Sequence, residues 1–361
     1  MKNLKNAYFM LILTALFVAI GCKKDKKGPN VDITTGLHVK DGKYLADKCG
    51  SKVILRGVNM GNIYAVNFGL KELEEIEKTG ANNVRIVLER NYKDWANGGA
   101  VTALTAAKIE PVITTCLAKG MIPILELHDF TGSANAAADL QQAAQWWTSA
   151  GIKSMLQKYQ KSIILNIANE PDNGSASDAG YADANLNAVK AIRNAGYTCP
   201  IMIDAANWGK DHVFFLYKGQ ALMDADPLHN LLFSVHAYWP TKGKFGDYSD
   251  AKITADFGAL KQSGLPIVLG ELAWADIQTT NINNHDVEVP YTINYKLLMK
   301  LCQENEFGYI AWWWGFNNNP GANNQLSMTQ DGLYNGLAAA GKEIAVNDVN
   351  SIKNTSKRIC Q

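Results

Sequence analysis

Two glutamates stand where short apolar runs end. Glu170 follows Ile163–Ala168 and Asn169 in IILNIANEPD, and Glu271 follows Gly270 in VLGELAW. A buried carboxylate is costly unless something holds it, so such placement points to an ion pair or to acid–base work. Two of them facing one cleft could cleave a glycosidic bond. One donates a proton to the leaving oxygen while the other attacks the sugar carbon or activates water. That chemistry requires the two acids to differ. A nucleophile has to stay ionised, and Arg85 and Tyr238 are side-chain types that would hold it so. A proton donor needs a raised pKa, from burial and from its partner's charge. Asn169, directly before Glu170, could hold a sugar hydroxyl beside the reacting carbon. For either glutamate alone, a structural ion pair with Arg85 or a lysine stays open as the plainer reading.

The other chemically able residues share that placement. Arg85, His128, Asn169 with Glu170, His236 with Tyr238, Glu271 and Trp312 all sit towards the C-terminal ends of short β-branched runs. The runs are VILRGVNM from 53, NNVRIVL from 82, MIPILELHD from 121, SIILNIANE from 162, PIMIDAANW from 200, LLFSVHAYW from 231, PIVLGELAW from 266 and GYIAWWWGF from 308. Stretches between them have helical spacing, such as LKELEEIEKTG at 70–80 and NAVKAIRNAG at 187–196, each closed by Gly. Apolar strands alternating with helices imply a parallel sheet covered by helices. Eight such units predict a (β/α)8 TIM barrel, in which strand ends converge on one mouth. Alternation around Asp41-Gly42 in LHVKDGKYL predicts a short N-terminal β-hairpin that floors the barrel. No second domain or repeat is visible, so residues 36–361 read as a single catalytic domain. No GxGxxG or P-loop follows a strand, which argues against a nucleotide-binding sheet.

The triplet at 312–314 puts Trp312 and Trp314 on one strand face and Trp313 on the other. Trp312 is the expected sugar platform and Trp313 a core residue, with Trp314, Trp239 and Trp274 as aromatic candidates further out. His236 and Tyr238, two apart, are expected to share a face. A metal set of His128, His236 and Glu170 has no HxH or HExxH spacing behind it, so neither metal nor cofactor is expected.

Lys2 and Lys5 precede an apolar stretch from Ala7 to Ile20 that ends in Gly21-Cys22. This reads as a secretory signal over 1–21 and resembles a bacterial lipobox, with Cys22 lipidated and residues 22–35 a flexible tether. The expected location is beyond the inner membrane, held to the bacterial outer membrane or cell surface, or to the periplasmic side, by the lipid. Removing residues 1–21 takes two lysines and no acid, so 35 basic against 34 acidic residues becomes 33 against 34. That balance leaves no electrostatic footprint for nucleic acid, and a monomer is expected. None of the remaining cysteines forms a CxxC, which argues against zinc. Cys49 and Cys360, near the two ends of the folded part, are the expected disulfide, and Cys116, Cys199 and Cys302 the expected buried thiols.

Taken together the chain resembles glycoside hydrolase family 5, from LRGVNMG at 55 to IAWWWGF at 310. The matching pieces are RGVN at 56–59, GANNVRIVL at 80–88, LELHD at 125–129, NIANEP at 166–171, HAY at 236–238, GE at 270–271 and AW at 311–312. The resemblance implies a retaining mechanism without metal or organic cofactor, with Glu170 as acid/base and Glu271 as nucleophile. It also implies Arg85, His128, Asn169, His236, Tyr238 and Trp312 as the substrate-binding shell. Within the family, RIVL, LELHD, NIANE and DAANWG at 204–209 are similar to bacterial β-1,4-mannanases. The implied activity is therefore endo-acting cleavage of mannan or glucomannan. Pro171 follows the acid/base glutamate, as in many cellulases of the family, and keeps a β-1,4-endoglucanase or xyloglucanase as the alternative. A catalytically silent glycan-binding lipoprotein is the third reading; the intact glutamate pair and shell argue against it.

Overall fold

Eight parallel strands close into a barrel in the computed structural model, which describes residues 32–94, 99–243, 247–282, 285–315 and 324–360. They are β1 (Arg56–Met60), β2 (Asn83–Leu88), β3 (Ile122–Leu127), β4 (Ile164–Asn166), β5 (Ile201–Asp204), β6 (Leu231–His236), β7 (Ile267–Leu272) and β8 (Gly308–Trp314). Neighbours around the ring follow chain order, and β8 pairs back onto β1. Each expected run supplies one strand. The strands are apolar because both faces are covered, the inner by the barrel's own side chains and the outer by helices.

The covering helices are α1 (Leu70–Glu77), α2 (Ala106–Ala118), α3 (Ala136–Trp147), α4 (Ala150–Tyr159), α5 (Asp178–Asn194), α6 (His212–Ala225), α7 (Asp250–Ser263) and α8 (Tyr295–Asn305). Both α3 and α4 lie between β3 and β4. In α1 the buried residues are Leu73 and Ile76, one helical turn apart, and Gly80 beyond it takes a left-handed φ of 80°. The 187–196 stretch proves to be the second half of α5. Its start is set by Ser177, whose hydroxyl accepts the Gly180 N–H.

The N-terminal hairpin pairs His38–Lys40 with Tyr44–Ala46. Val39 donates its N–H to Asn230 Oδ1 at 2.7 Å, directly before β6. Lys43, Tyr44 and Leu45 line one cavity with Pro266, Ile267 and Gly308 at the starts of β7 and β8. The hairpin thus floors the barrel at the end away from the strand tips. Two further ribbons, absent from the sequence reading, pair Asn91–Asp94 with Ala100–Ala103 between β2 and α2, and Ala275–Ile282 with His285–Thr292 between β7 and α8.

Cys49 and Cys360 are joined by a disulfide, with Cα atoms 6.1 Å apart, and Cys116, Cys199 and Cys302 are buried thiols. Asp47 brings the two ends together. Its Oδ1 accepts the N–H groups of Cys49 and Ser51, and its Oδ2 accepts that of Cys360. Replacing both cysteines by Ser is expected to lower stability by about 2–4 kcal/mol and the thermal midpoint by several degrees. Calorimetry beside an unchanged kcat would show it; an unmoved midpoint would contradict it. The expected signal segment, Cys22 and most of the tether lie outside the described residues.

Candidate active site

Arg85 is the third residue of β2, deeper in the barrel than the strand tip where the sequence placed it, and it is fully buried. An isolated buried guanidinium is prohibitive, and every arm of this one is held. Nε donates to Asn166 Oδ1 at 2.9 Å, Nη1 to Asn59 Oδ1 at 2.9 Å and Glu271 Oε1 at 3.0 Å, and Nη2 to Asn169 Oδ1 at 2.7 Å. Glu126 and Asp204, both buried, add charge contacts at 3.8 and 3.6 Å. The plainer reading of Glu271 as an Arg85 ion pair is therefore true as geometry, and the same contact orients its carboxylate.

Glu271, in β7, accepts the Tyr238 hydroxyl on its other oxygen at 2.6 Å. Burial pushes its carboxyl above the ordinary glutamate range and the Glu170 charge adds to this, while His236, Arg85 and the Tyr238 hydroxyl pull it back. The donors around Glu271 thus offset a burial penalty; they do not take the acid below its usual range. Across the cleft Glu170 faces His236 Nδ1 at 2.6 Å. Four carboxyls (Glu126, Glu170, Asp204, Glu271) are thus gathered with Arg85, His128 and His236 in one cluster.

Two expectations about local structure need correction. β4 ends at Asn166, and the tip beyond it is irregular, with Glu170 at a left-handed φ of 40°. Backbone bonds continue past the strand there: Asn169 N–H bonds to Leu127 O at the end of β3, and Glu170 O accepts from Gly132 N–H in the loop beyond it. β6 ends at His236, and Tyr238 bonds back to His236 O in a tight turn, so the pair do not share a strand face although both side chains reach the glutamates.

Asn169 is anchored through Oδ1 to Arg85 and through Nδ2 to Thr131, which leaves one N–H for a ligand. His128 bonds to Glu126 at 3.0 Å and lies stacked with Trp312, ring centres 5.8 Å apart. Burial lowers the His128 pKa, but Glu126 and Glu271 together raise it above its ordinary value. Trp312 is half-buried at the cleft, while Trp313 is buried, both as expected. Trp314 and Trp239 are fully buried, against expectation, and Trp274 packs half-buried on the core. A register shift between Ala311 and Trp314 breaks the simple alternation of β8.

His128, Asn169, Glu170, Tyr238, Glu271 and Trp312 line a cleft of about 290 Å³ at the strand tips. Sequence reasoning missed Trp208, Lys210 and Asp276 on its wall. Trp208 is 41% exposed on a turn in which Asn207, Trp208 and Gly209 all have positive φ, and its ring lies over Gly132, where a Cβ would clash. The signal was present in NWG, an aromatic next to a Gly after a strand. Lys210 reaches Asp276 of the second ribbon at 3.5 Å. Among the described residues, Glu170, His236 and Glu271 bring ligand-type atoms within 4.8 Å of one another. His128 is not in that set, and Arg85 already supplies cationic charge to Glu271.

His236 is buried, which opposes its charge, yet Glu271, Asp204 and Glu170 together raise its pKa to about 9. A histidine raised above its unfolded value stabilises fully below the unfolded pKa of about 6.5, and that contribution fades as pH rises through about 9. The free energy of unfolding is therefore expected to fall by up to about 3 kcal/mol between pH 6.5 and 9. Denaturant titrations across that range that stay flat in wild type would sink the charged ring.

A closed (β/α)8 barrel with two carboxylates facing each other at its mouth is the architecture of a glycoside hydrolase. Carboxyl oxygens within 4.8 Å fit a retaining pair, since inverting pairs stand about 6.5–9.5 Å apart. Residues 46–318 match the family described as Cellulase (glycosyl hydrolase family 5), and the chain belongs to glycosyl hydrolase family 5. It is 30% identical to a mannan endo-1,4-beta-mannosidase of Cellvibrio japonicus (strain Ueda107) over 91% of this chain and 70% of that protein. To the mannan endo-1,4-beta-mannosidase of Streptomyces lividans it is 31% identical over 98% of this chain and 86% of the other. The solved catalytic domain of the mannanase from Streptomyces sp. SirexAA-E superposes with a TM-score of 0.72 at 27% identity, covering 98% of this chain and 99% of that one.

Proposed function

We propose that this glycoside hydrolase is an endo-acting β-1,4-mannanase that cleaves mannan and glucomannan. The observation that carries the substrate is the similarity, at about 30% identity across nearly the whole chain, to proteins named for that activity. In this reading the Glu271 carboxylate attacks the sugar carbon as the glycosidic bond breaks, and Glu170 gives its proton to the departing oxygen. Water then attacks the glycosyl ester, yields a proton to Glu170 and frees Glu271. Arg85 and Tyr238 hold Glu271 in line, Asn169 presents an N–H to the sugar, and Trp312 stacks under it with His128 behind. His236, on Glu170, orients the acid. Trp208 offers a further aromatic surface on the Glu170 side of the cleft.

The N-terminal residues support secretion, with Cys22 as a lipid-bearing anchor to the membrane and the catalytic domain acting as a monomer. Reducing-sugar release from mannan, glucomannan, xyloglucan, carboxymethylcellulose and xylan tests the substrate. Mannan and glucomannan are expected to lead by about tenfold or more. Fastest release from carboxymethylcellulose or xyloglucan would replace the mannanase reading by the glucanase one that Pro171 kept open.

A further inference from the structure

We propose that Asp204 is a positioning residue for the proton donor: it locks the left-handed backbone of Glu170 and holds the His236 ring, as imidazolium, against the Glu170 carboxyl. The proposal rests on the reading of Glu170 as acid/base. Asp204 ends β5 and is buried, at the tip of an otherwise apolar run, where an ionised carboxylate needs partners. Its partners all belong to the site. Oδ2 accepts the Glu170 N–H at 3.1 Å and lies 3.5 Å from His236 Nε2 and 3.6 Å from Arg85 Nη2. Oδ1 accepts Asn166 Nδ2 at 3.1 Å, and Asn166 in turn holds Arg85 Nε.

The contact with Glu170 matters because φ of 40° is strained for a residue with a Cβ, and such a backbone persists only where its surroundings impose it. Asp204 takes the Glu170 N–H, Gly132 N–H takes its C=O, and Pro171 beyond has no N–H to contribute. The contact with His236 matters for a different reason. Nδ1 is used on Glu170, and Nε2 is buried without a hydrogen bond, aimed at the Asp204 carboxylate. A lone pair on Nε2 would face that negative charge, whereas an N–H there is attracted to it. The charged groups around the ring are Glu170 beyond β4, Asp204 of β5 and Glu271 of β7; the Gly209 turn contributes only a backbone carbonyl. Loss of the Asp204 charge should therefore weaken its hold on the Glu170 N–H and on the His236 ring, while Glu271 keeps the Tyr238 hydroxyl and the Arg85 Nη1 bond, neither of which Asp204 touches.

The test compares Asp204→Asn with Glu170→Ala on a manno-oligosaccharide and on a dinitrophenyl β-mannobioside, whose leaving group needs no proton. Asp204→Asn is expected to lower kcat on the oligosaccharide about 30–300-fold with KM nearly unchanged, and to slow the dinitrophenolate burst from the activated substrate, which reports the first step alone, less than about fivefold. In wild type, ¹⁵N spectra assigned with a His236→Gln variant are expected to show both ring nitrogens protonated at pH 7; this measurement decides the His236 half even if Asp204→Asn does not fold. A neutral ring, an unchanged kcat, or equal losses on the two substrates would overturn the proposal. A leaving-group split in Glu170→Ala but none in Asp204→Asn overturns it alone. Equal losses in Glu170→Ala remove the proton-donor reading, and this proposal with it.

Discussion

Glu271→Ala is expected to lower kcat on mannan about 10⁴–10⁶-fold, the scale of losing a nucleophile whose neighbours act with it as a unit. KM should move little, because Arg85, Asn169 and Trp312 stay in place. Removing the side chain leaves room beneath the sugar carbon, in front of the Arg85 Nη1 and Tyr238 hydroxyl donors that had bonded its two oxygens. Azide fits that space as an anion, and the intact Glu170 can still protonate the leaving oxygen. The product is then an α-glycosyl azide, inverted relative to the β-substrate, which NMR distinguishes directly. Full activity in Glu271→Ala, or a β-azide from it, would assign the nucleophile elsewhere.

Glu170→Ala should divide substrates by leaving group. On polysaccharide, where an alkoxide cannot depart unassisted, kcat/KM is expected to fall about 10²–10⁴-fold, the usual worth of a general acid. With a dinitrophenyl glycoside the first step should proceed nearly as in wild type. Water then lacks its base, so the glycosyl ester on Glu271 accumulates, KM drops, and mass spectrometry of the quenched protein finds the adduct. Azide here attacks that ester without needing a base and gives the β-product, opposite to the Glu271 variant. The opposite anomers separate the two roles more sharply than either rate does. The two glutamates are also asymmetric in the structure: Glu271 meets the Arg85 and Tyr238 donors, and Glu170 meets the His236 ring.

The barrel was legible because each strand is a short apolar run set between stretches of helical period, and that pattern depends only on local sequence. The site was legible through its cost. A carboxylate or histidine ending such a run calls for an explanation, and Glu170, Glu271, His128 and His236 each stand there. What escaped was the layer beneath. Asn59, Glu126, Asn166 and Asp204 lie within strands, where one polar residue reads as ordinary alternation. They meet only because ring closure brings positions from 59 to 271 around one guanidinium. Trp314 and Trp239 misled for a related reason: a shift in strand pairing at β8, and close packing of Trp239 against His212, Tyr248 and Phe257, bury rings that alternation had turned outward. The left-handed Glu170 has no sequence signature short of Gly, since it is held by Asp204 at the end of β5 and Gly132 in the turn after β3. The ribbon from 275 to 292 carries Val287, Val289 and Tyr291 at alternate positions, a signal overshadowed by the α/β rhythm on either side.

The bond between Cys49 and Cys360 gives the folded chain the covalent topology of a loop with two short tails. A single cut by a protease in any of the segments that rim the mouth would leave one molecule of unchanged mass but for a water, its two pieces still tethered at the floor. Such a nicked enzyme would separate into fragments only on a reducing gel, and it could keep its strand tips in register while doing so.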